Sequence, residues 1–367
     1  MRLPRPLATI AVLSLVAAGF AATVPVTRAE STRTVRAELT AQALGHFVVE
    51  NLAGKMRVAP TAGDTVVVVA TIHAENDALA QKTKLEQVVG KGGVPTLRVQ
   101  YPVEDEFRYP GLGRDHGFLG NMFDGSNTTT EYAGRRVKVS ASHGVLLYAD
   151  VEVQVPRHLE NAEFRNMVGS IEGRDLEGRI AFDTASGDVT LGSMRGSINA
   201  DTGSGDVKAS DCRGSFSCDT GSGDCDLTDF EGEAIHVDVG SGDVTVRHAT
   251  ARLVDVDAGS GDVRVLGSNV EEFRSETGSG DVRLESSGSR LARVAADTGS
   301  GDIVLLLSPD ASFEAMADQG SGDLIMRFKD AQAIVRHKEV VGYRRGDARI
   351  KIDIETGSGD LTIEPGS

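Results

Sequence analysis

The sequence predicts an all-β protein: a parallel β-solenoid, wound as a right-handed β-helix of about ten coils, with an irregular N-terminal capping region containing one short helix. Three observations predict it. The tetrapeptide Gly-Ser-Gly-Asp, once Ala-Ser-Gly-Asp, recurs with its Asp at 188, 206, 224, 243, 262, 281, 302, 323 and 360, so most coils take 18–21 residues. The residues flanking each copy alternate apolar and polar, as strands with one buried face must. Glycine is abundant at 43 residues, tryptophan is absent and aromatics make up 5% of the chain, a composition of many tight turns rather than of a layered α/β core.

Each part of a coil follows from these columns. One residue after the Asp stand Val189, Val207, Cys225, Val244, Val263, Val282, Ile303, Leu324 and Leu361; eight before it stand Ile180, Ile198, Phe216, Ile235, Val254, Phe273, Val294, Ala315 and Ile352. A coil is therefore strand, glycine turn, strand. Stacking coils in register at ~4.8 Å buries a ladder of Val, Ile and Leu that no coil could bury alone. The two glycines allow the chain to reverse, and the Asp can accept hydrogen bonds from backbone N–H groups at the corner. The final step of 37 residues is close to two periods and predicts one coil without its signature. A similar degenerate coil is expected around Val168-Gly169-Ser170-Ile171.

A second acidic column lies five residues before the first: Asp183, Asp201, Asp219, Asp238, Asp257, Glu276, Asp297, Asp318 and Glu355. Two columns of nine give 18 carboxylates, enough to account for the chain's formal charge of −16. Like charges stacked at coil spacing repel by roughly 0.9 kcal/mol per neighbour in water, so something must offset them. Backbone N–H groups and solvent are one answer. Calcium is the alternative, with Asp206, Asp224, Asp243, Asp262, Asp281 and Asp302 as candidate ligands. The repeat differs from nonapeptide calcium rolls, which run Gly-Gly-x-Gly-x-Asp. No other cofactor is indicated.

The Ser-Gly-Asp-Val repeat, the opening Val48-Val49-Glu50-Asn51-Leu52-Ala53-Gly54-Lys55-Met56-Arg57-Val58 and the run Val151-Glu152-Val153-Gln154-Val155-Pro156 resemble the bacterial putative-adhesin family of β-strand-repeat proteins, a domain of unknown function. The resemblance implies an exported β-solenoid without known catalytic residues, and it supports fold better than function.

At the N-terminus, Arg2 and Arg5 precede an apolar run from Leu7 to Val24, and Thr27-Arg28-Ala29 completes the pattern of a secretory signal peptide over 1–29. Cleavage after Ala29 removes three positive charges, leaving 54 acidic against 35 basic residues, or −19. No second apolar stretch follows, so the mature chain is expected to lack a transmembrane segment and to be exported: periplasmic, on the cell surface or secreted. Such an acidic chain offers no footprint for nucleic acid.

Residues 30–160 read as a cap with irregular first coils, and 161–367 as the repeat solenoid. Within the cap, strands are expected at 46–50, 56–59, 65–73, 96–101, 135–141 and 147–155. A helix is expected from Asn76 to Val89, capped by Asn76 or Asp77 and stopped by the glycines at 90, 92 and 93. The segment 104–134 reads as a long loop whose Phe107, Tyr109, Phe118, Phe123 and Tyr132 are candidates for contacting a glycan or protein partner.

Other motifs are weaker. Neither His73, His116 nor His143 has metal-ligand spacing, and no nucleophile elbow is present. Cys218 and Cys225 flank one turn and either form a disulfide or, with Cys212, fill the core as thiols. Arg345-Gly346-Asp347 is a tripeptide short enough to arise by chance, in a basic stretch from Leu324 to Ile354. The function expected from all this is a non-catalytic envelope or extracellular scaffold of adhesin type. The alternatives are a calcium-binding repeat module and a polysaccharide-active β-helix enzyme, and an enzyme should break the repeat with off-pattern polar clusters.

Overall fold

The computed structural model describes residues 30–40, 45–102, 104–112 and 127–366. The expected signal peptide over 1–29 lies outside the described residues, as do Phe118 and Phe123. The chain divides into two compact units, Met1–Gly187 and Asp188–Ser367. Both are built almost wholly of strands, in mostly parallel, unclosed, solenoid-like stacks.

In the second unit each coil contributes a long and a short strand. Arg195–Ser204 pairs in parallel with Arg213–Ser222, which pairs with Glu231–Ser241, then Thr250–Ser260. The short strands Val207–Ser210, Cys225–Thr228 and Val244–Arg247 form a second parallel sheet. The register is the one the columns dictate: Ile198 faces Phe216, Phe216 faces Ile235, and Val244 faces Val263. These side chains are essentially inaccessible. At the Gly-Ser-Gly-Asp corner the need for glycine is steric as well as conformational. A Cβ on Gly242 (φ +151°) would lie 2.1 Å from the carbonyl oxygen of Gly223 in the coil below. In the first five coils of the second unit the opposite corner is turned by one left-handed residue each, Ser193, Asp211, Asp229, His248 and Gly267, with φ of 54–57°. That column stands five residues after the corner Asp and is mostly Asp or another small polar type, which tolerate this conformation best after glycine.

The 37-residue step does not hide a second coil that lost its signature. After Leu324–Met326 the chain leaves the stack as an antiparallel hairpin, Gln332–Arg336 and Glu339–Arg345, whose second strand pairs with Phe313–Met316. It then returns, and Ile350–Ser358 enters between Arg293–Ser300 and Phe313–Ser321, parallel to both. Leu361–Pro365 likewise enters between Ile303–Leu307 and Leu324–Met326. The coil carrying Asp360 is thus inserted beneath the coil that precedes it in sequence. A physical reason is edge protection: in this order the hairpin covers part of the terminal edge, which simple sequential stacking would leave open.

In the first unit the degenerate coil is present. His158–Val168 pairs in parallel with Glu177–Thr184, and Ile171–Arg174 with Met56–Thr61. Phe47–Ala53 and Met56–Thr61 form a further coil, because Phe47–Ala53 stacks on His158–Val168. Ser31–Thr40 and Thr65–Ala74 are antiparallel additions, as is Lys84–Val89 on Pro95–Gln100. The helix expected over 76–89 is only Asp77–Lys82, capped by Asn76, whose side chain accepts the Leu79 N–H at 3.0 Å. Lys84–Val89 is a strand instead. Its β-branched Val88-Val89 and the hairpin with Pro95–Gln100, turned through Gly92 and Gly93 at positive φ, outweigh helix continuation.

Candidate functional site

The two acidic columns occupy different environments in the second unit. At the corner, the carboxylate of every coil but the terminal one, which carries Asp323, accepts the backbone N–H of the Asp in the next coil. Asp206 donates to Asp188 at 3.0 Å, Asp224 to Asp206 at 3.1 Å, and Asp243 to Asp224 at 2.8 Å. Asp262, Asp281 and Asp302 continue the series at 2.8–2.9 Å. The ladder also records the inserted coil, since Asp360 donates to Asp302 and Asp323 donates to Asp360, both at 2.8 Å. Arg264 reaches the second oxygens of Asp243 and Asp262, and Lys208 that of Asp206. The Asp262 N–H, helped by Arg264 against some burial, holds the Asp243 carboxyl below the usual carboxylate range. These corner carboxylates cap a turn, and backbone N–H groups meet the repulsion that motivated a cation.

The second column has no such support. Asp201, Asp219, Asp238, Asp257, Glu276, Asp297, Glu355 and Asp318, in stacking order, project from the long-strand sheet. None of these eight carboxylates forms a hydrogen bond or ion pair with another described residue. Burial and the neighbouring Asp219 raise the Asp201 carboxyl above its ordinary value. Seven of the eight, from Asp219 onward, line one groove of about 740 Å³. The adjacent outward column adds His236, Asp255, Arg274 and Asp353, of which His236 lies 3.4 Å from Asp255. The arrangement is a strip of regularly spaced negative charge set over a rigid sheet. It can attract cationic groups at a matching repeat; Ser217, which also lines the groove, stands opposite His236 in register, as His236 does opposite Asp255.

The three aromatic candidates of segment 104–134 that lie among the described residues do not form an exposed surface. Phe107, Tyr109 and Tyr132 are buried at 0%, 3% and 2% exposure. Tyr132 donates to the carbonyl of Val99 at 2.7 Å, and Phe107 packs edge-on to Tyr101. These rings close the core of the first unit, where large apolar area is worth more buried than offered to solvent.

Two polar clusters of the first unit were not anticipated. Asn51 and Asn166 face each other across the stacked coils, fully buried, joined at 2.9 Å and bonded to the carbonyls of Ala149 and Gly54. Their sequence separation of 115 leaves no local signal for the pairing. His73 lies 3.4 Å from Asp150 and 3.0 Å from Glu30, with its ring stacked on Tyr148. The Asp150 hydrogen bond outweighs burial and raises the His73 pKa. Asp150 is pushed up by burial, but hydrogen bonds from His73 and the Lys55 N–H leave it below its ordinary value.

The three cysteines are buried free thiols, and the Cys218 contact, followed by burial, pushes the Cys225 thiol well up. Arg345 of the Arg-Gly-Asp tripeptide pairs with Asp330 at 2.7 Å and lies over the Phe328 ring, while Asp347 is held by Ser312 and Arg349. That tripeptide is tied into the fold. No helix among the described residues is long and apolar enough to cross a membrane.

Fold and site together define a solenoid-like repeat protein with a carboxylate-lined face. Comparison with known families then places it: the chain belongs to the Toastrack DUF4097 family, whose model matches residues 124–364. Among solved structures it is similar to a putative adhesin from Parabacteroides distasonis, at 11% identity and a TM-score of 0.42, covering 90% of this chain and 97% of that one. A putative adhesin from Bacteroides fragilis matches at 10% identity and a TM-score of 0.34, covering 90% and 97%. A putative lipid binding protein from Parabacteroides distasonis matches at 11% identity and a TM-score of 0.37, covering 92% and 97%. No curated protein matches.

Proposed function

We propose that this chain is an exported, non-catalytic interaction scaffold of the bacterial envelope or exterior, of adhesin type, and that its long-strand face binds a cationic partner such as a basic protein segment. The observation that carries this reading is the column of eight carboxylates without partners, seven of them along one groove. Keeping such a column costs repulsion at every coil. Strand geometry does not require acids there, because outward positions accept any polar residue, so a binding role accounts for their recurrence. Export rests on the signal-like pattern of 1–29.

The test is salt-dependent binding of a lysine-rich peptide to residues 30–367, with a neutral glycan and an acidic polysaccharide as competitors. Binding that weakens steeply with salt, and that falls about tenfold when Asp238, Asp257 and Glu276 are changed to Asn, Asn and Gln, supports the reading. Equal binding by that variant, or capture of the acidic polysaccharide instead, overturns it.

A further inference from the structure

The inserted coil has a property that the other coils of the second unit lack: the two coils that flank it follow one another in the sequence, and they are in register with each other. Through the insert, Ser300 aligns with Ser358 and Ser358 with Ser321, so the columns of Arg293–Leu307 and Phe313–Met326 are already in mutual register. The step from Asp302 to Asp323 is 21 residues, the same as from Asp281 to Asp302, where the coils are adjacent. The connector 308–312 therefore spans two coil heights with a chain length that elsewhere spans one. The flanking coils thus define a slot, held open by what fills it.

The occupant is joined to the hairpin through Gly346–Arg349, which contains two left-handed residues, Gly346 (φ 63°) and Ala348 (φ 58°). Where it enters, a cavity of about 240 Å³ lies between Leu291, Leu307, Ala311, Ser312 and Arg349. Packing is thus looser at the point of entry than inside the coil, where Ile352, Leu361 and Ile363 are fully buried. The insert is held by repeat contacts (parallel ladder pairs, stacked glycines and the Asp302–Asp360–Asp323 series) and by the ion pairs Lys351–Glu314, Asp353–Arg293 and Glu364–Arg327 with its two flanking coils. An identical coil from another molecule satisfies all of them equally, so exchange changes the connector and little else.

We propose that the coil Ile350–Pro365 is exchangeable, and that the slot between Arg293–Leu307 and Phe313–Met326 accepts this coil from a second copy of the chain, linking two copies reciprocally. The occupant is a second copy because the slot's specificity lies in the repeat register, which the chain's own coil matches at every column. The free energy of the two arrangements differs mainly at Gly346–Arg349, so concentration sets the balance between them.

The test uses two full-length variants, Ser300→Cys and Ser358→Cys, mixed and oxidised after incubation a few degrees below the melting transition. Ser222→Cys mixed with Ser241→Cys is the reference, since these positions face each other between internal coils. A disulfide-linked dimer is expected from the first mixture, with a yield rising with concentration and at least tenfold that of the reference. A Ser300→Cys, Ser358→Cys double variant should close the bond within one chain and abolish exchange. Equal yields from the two mixtures, or none from either, overturn the proposal. Should a cysteine variant fold poorly, a fluorescent peptide of residues 348–366 added to the unaltered chain gives the same answer. Uptake that is lost with the Ile352→Asp peptide supports exchange, and absence of uptake refutes it.

Discussion

Removing a carboxylate should have opposite effects in the two acidic columns, although Asp238 and Asp243 stand in the same coil. Asp243 accepts the Asp262 N–H at 2.9 Å and an Arg264 N–H at 3.0 Å. Hydrogen bonds to a charged group contribute about 1.5–3 kcal/mol, and because the Asp243 side chain is 46% exposed the low end applies, about 1.5 kcal/mol. Asp243→Ala should therefore destabilise the second unit by that amount. Asp238 has Asp219 and Asp257 as stacked neighbours and no compensating partner. Two like charges at ~4.8 Å cost about 1.7 kcal/mol together in water, and screening over a Debye length of about 8 Å leaves about 1 kcal/mol. Asp238→Ala should stabilise by roughly that much. Thermal unfolding followed by circular dichroism reads both, at about 2–4 °C per kcal/mol for a unit of this size. The melting temperature should fall by about 3–6 °C for Asp243→Ala and rise by about 2–4 °C for Asp238→Ala. In 1 M salt the second effect should nearly vanish and the first persist. A fall for Asp238→Ala, or a loss of the Asp243→Ala effect in salt, would refute the distinction between a capping column and a column without support.

Four further outcomes follow from the same geometry. Val244→Asp places an unpaired carboxylate in a position with no exposure and should cost several kcal/mol, seen as a large drop in the urea midpoint. Gly242→Ala should cost about 3 kcal/mol or more, because the new methyl meets the Gly223 carbonyl and the two coils must part. His73 has its pKa raised above 6.5 in the folded state, so its contribution to stability is complete below 6.5 and is lost as pH rises through the folded value. His73→Gln should therefore lower the melting temperature more at pH 5.5 than at pH 8.5. Finally, melting temperatures of residues 30–367 in EDTA and in calcium should agree; a large upward shift with calcium would return the corner Asp residues to the role of metal ligands.

The coil itself was legible because every column is a local pattern repeated many times, and Val244 against Val263 or Phe216 against Ile235 follows from alignment on the Asp alone. The corner hydrogen bonds were legible as chemistry, though not in their form, which joins successive coils rather than closing one turn. The position of Ile350–Ser358 was not legible. Its columns match Arg293–Ser300 and Phe313–Ser321 equally well, and nothing local states which neighbours a coil takes. Lys84–Val89 reads as helix or strand until its partner Pro95–Gln100 is known. Phe107 and Tyr132 looked like surface because segment 104–134 is rich in Gly, Asn and Asp, but their burial depends on strands distant in sequence. For the candidate site, the sequence marked the acidic column at once; only the absence of partners for eight of its nine carboxylates, all but Asp183, which faces Arg165, required the structure.

The inserted coil also changes how the protein would bear load. A strand at the end of a stack can be peeled away, its hydrogen bonds breaking one after another under a small force. Tension transmitted through Pro365 meets a different geometry, because Ile350–Ser358 is bonded on both sides along its length. Two ladders must then be sheared together, and the pull is shared among all their bonds at once. Both strands of the inserted coil are thus clamped from within the stack rather than held at its rim.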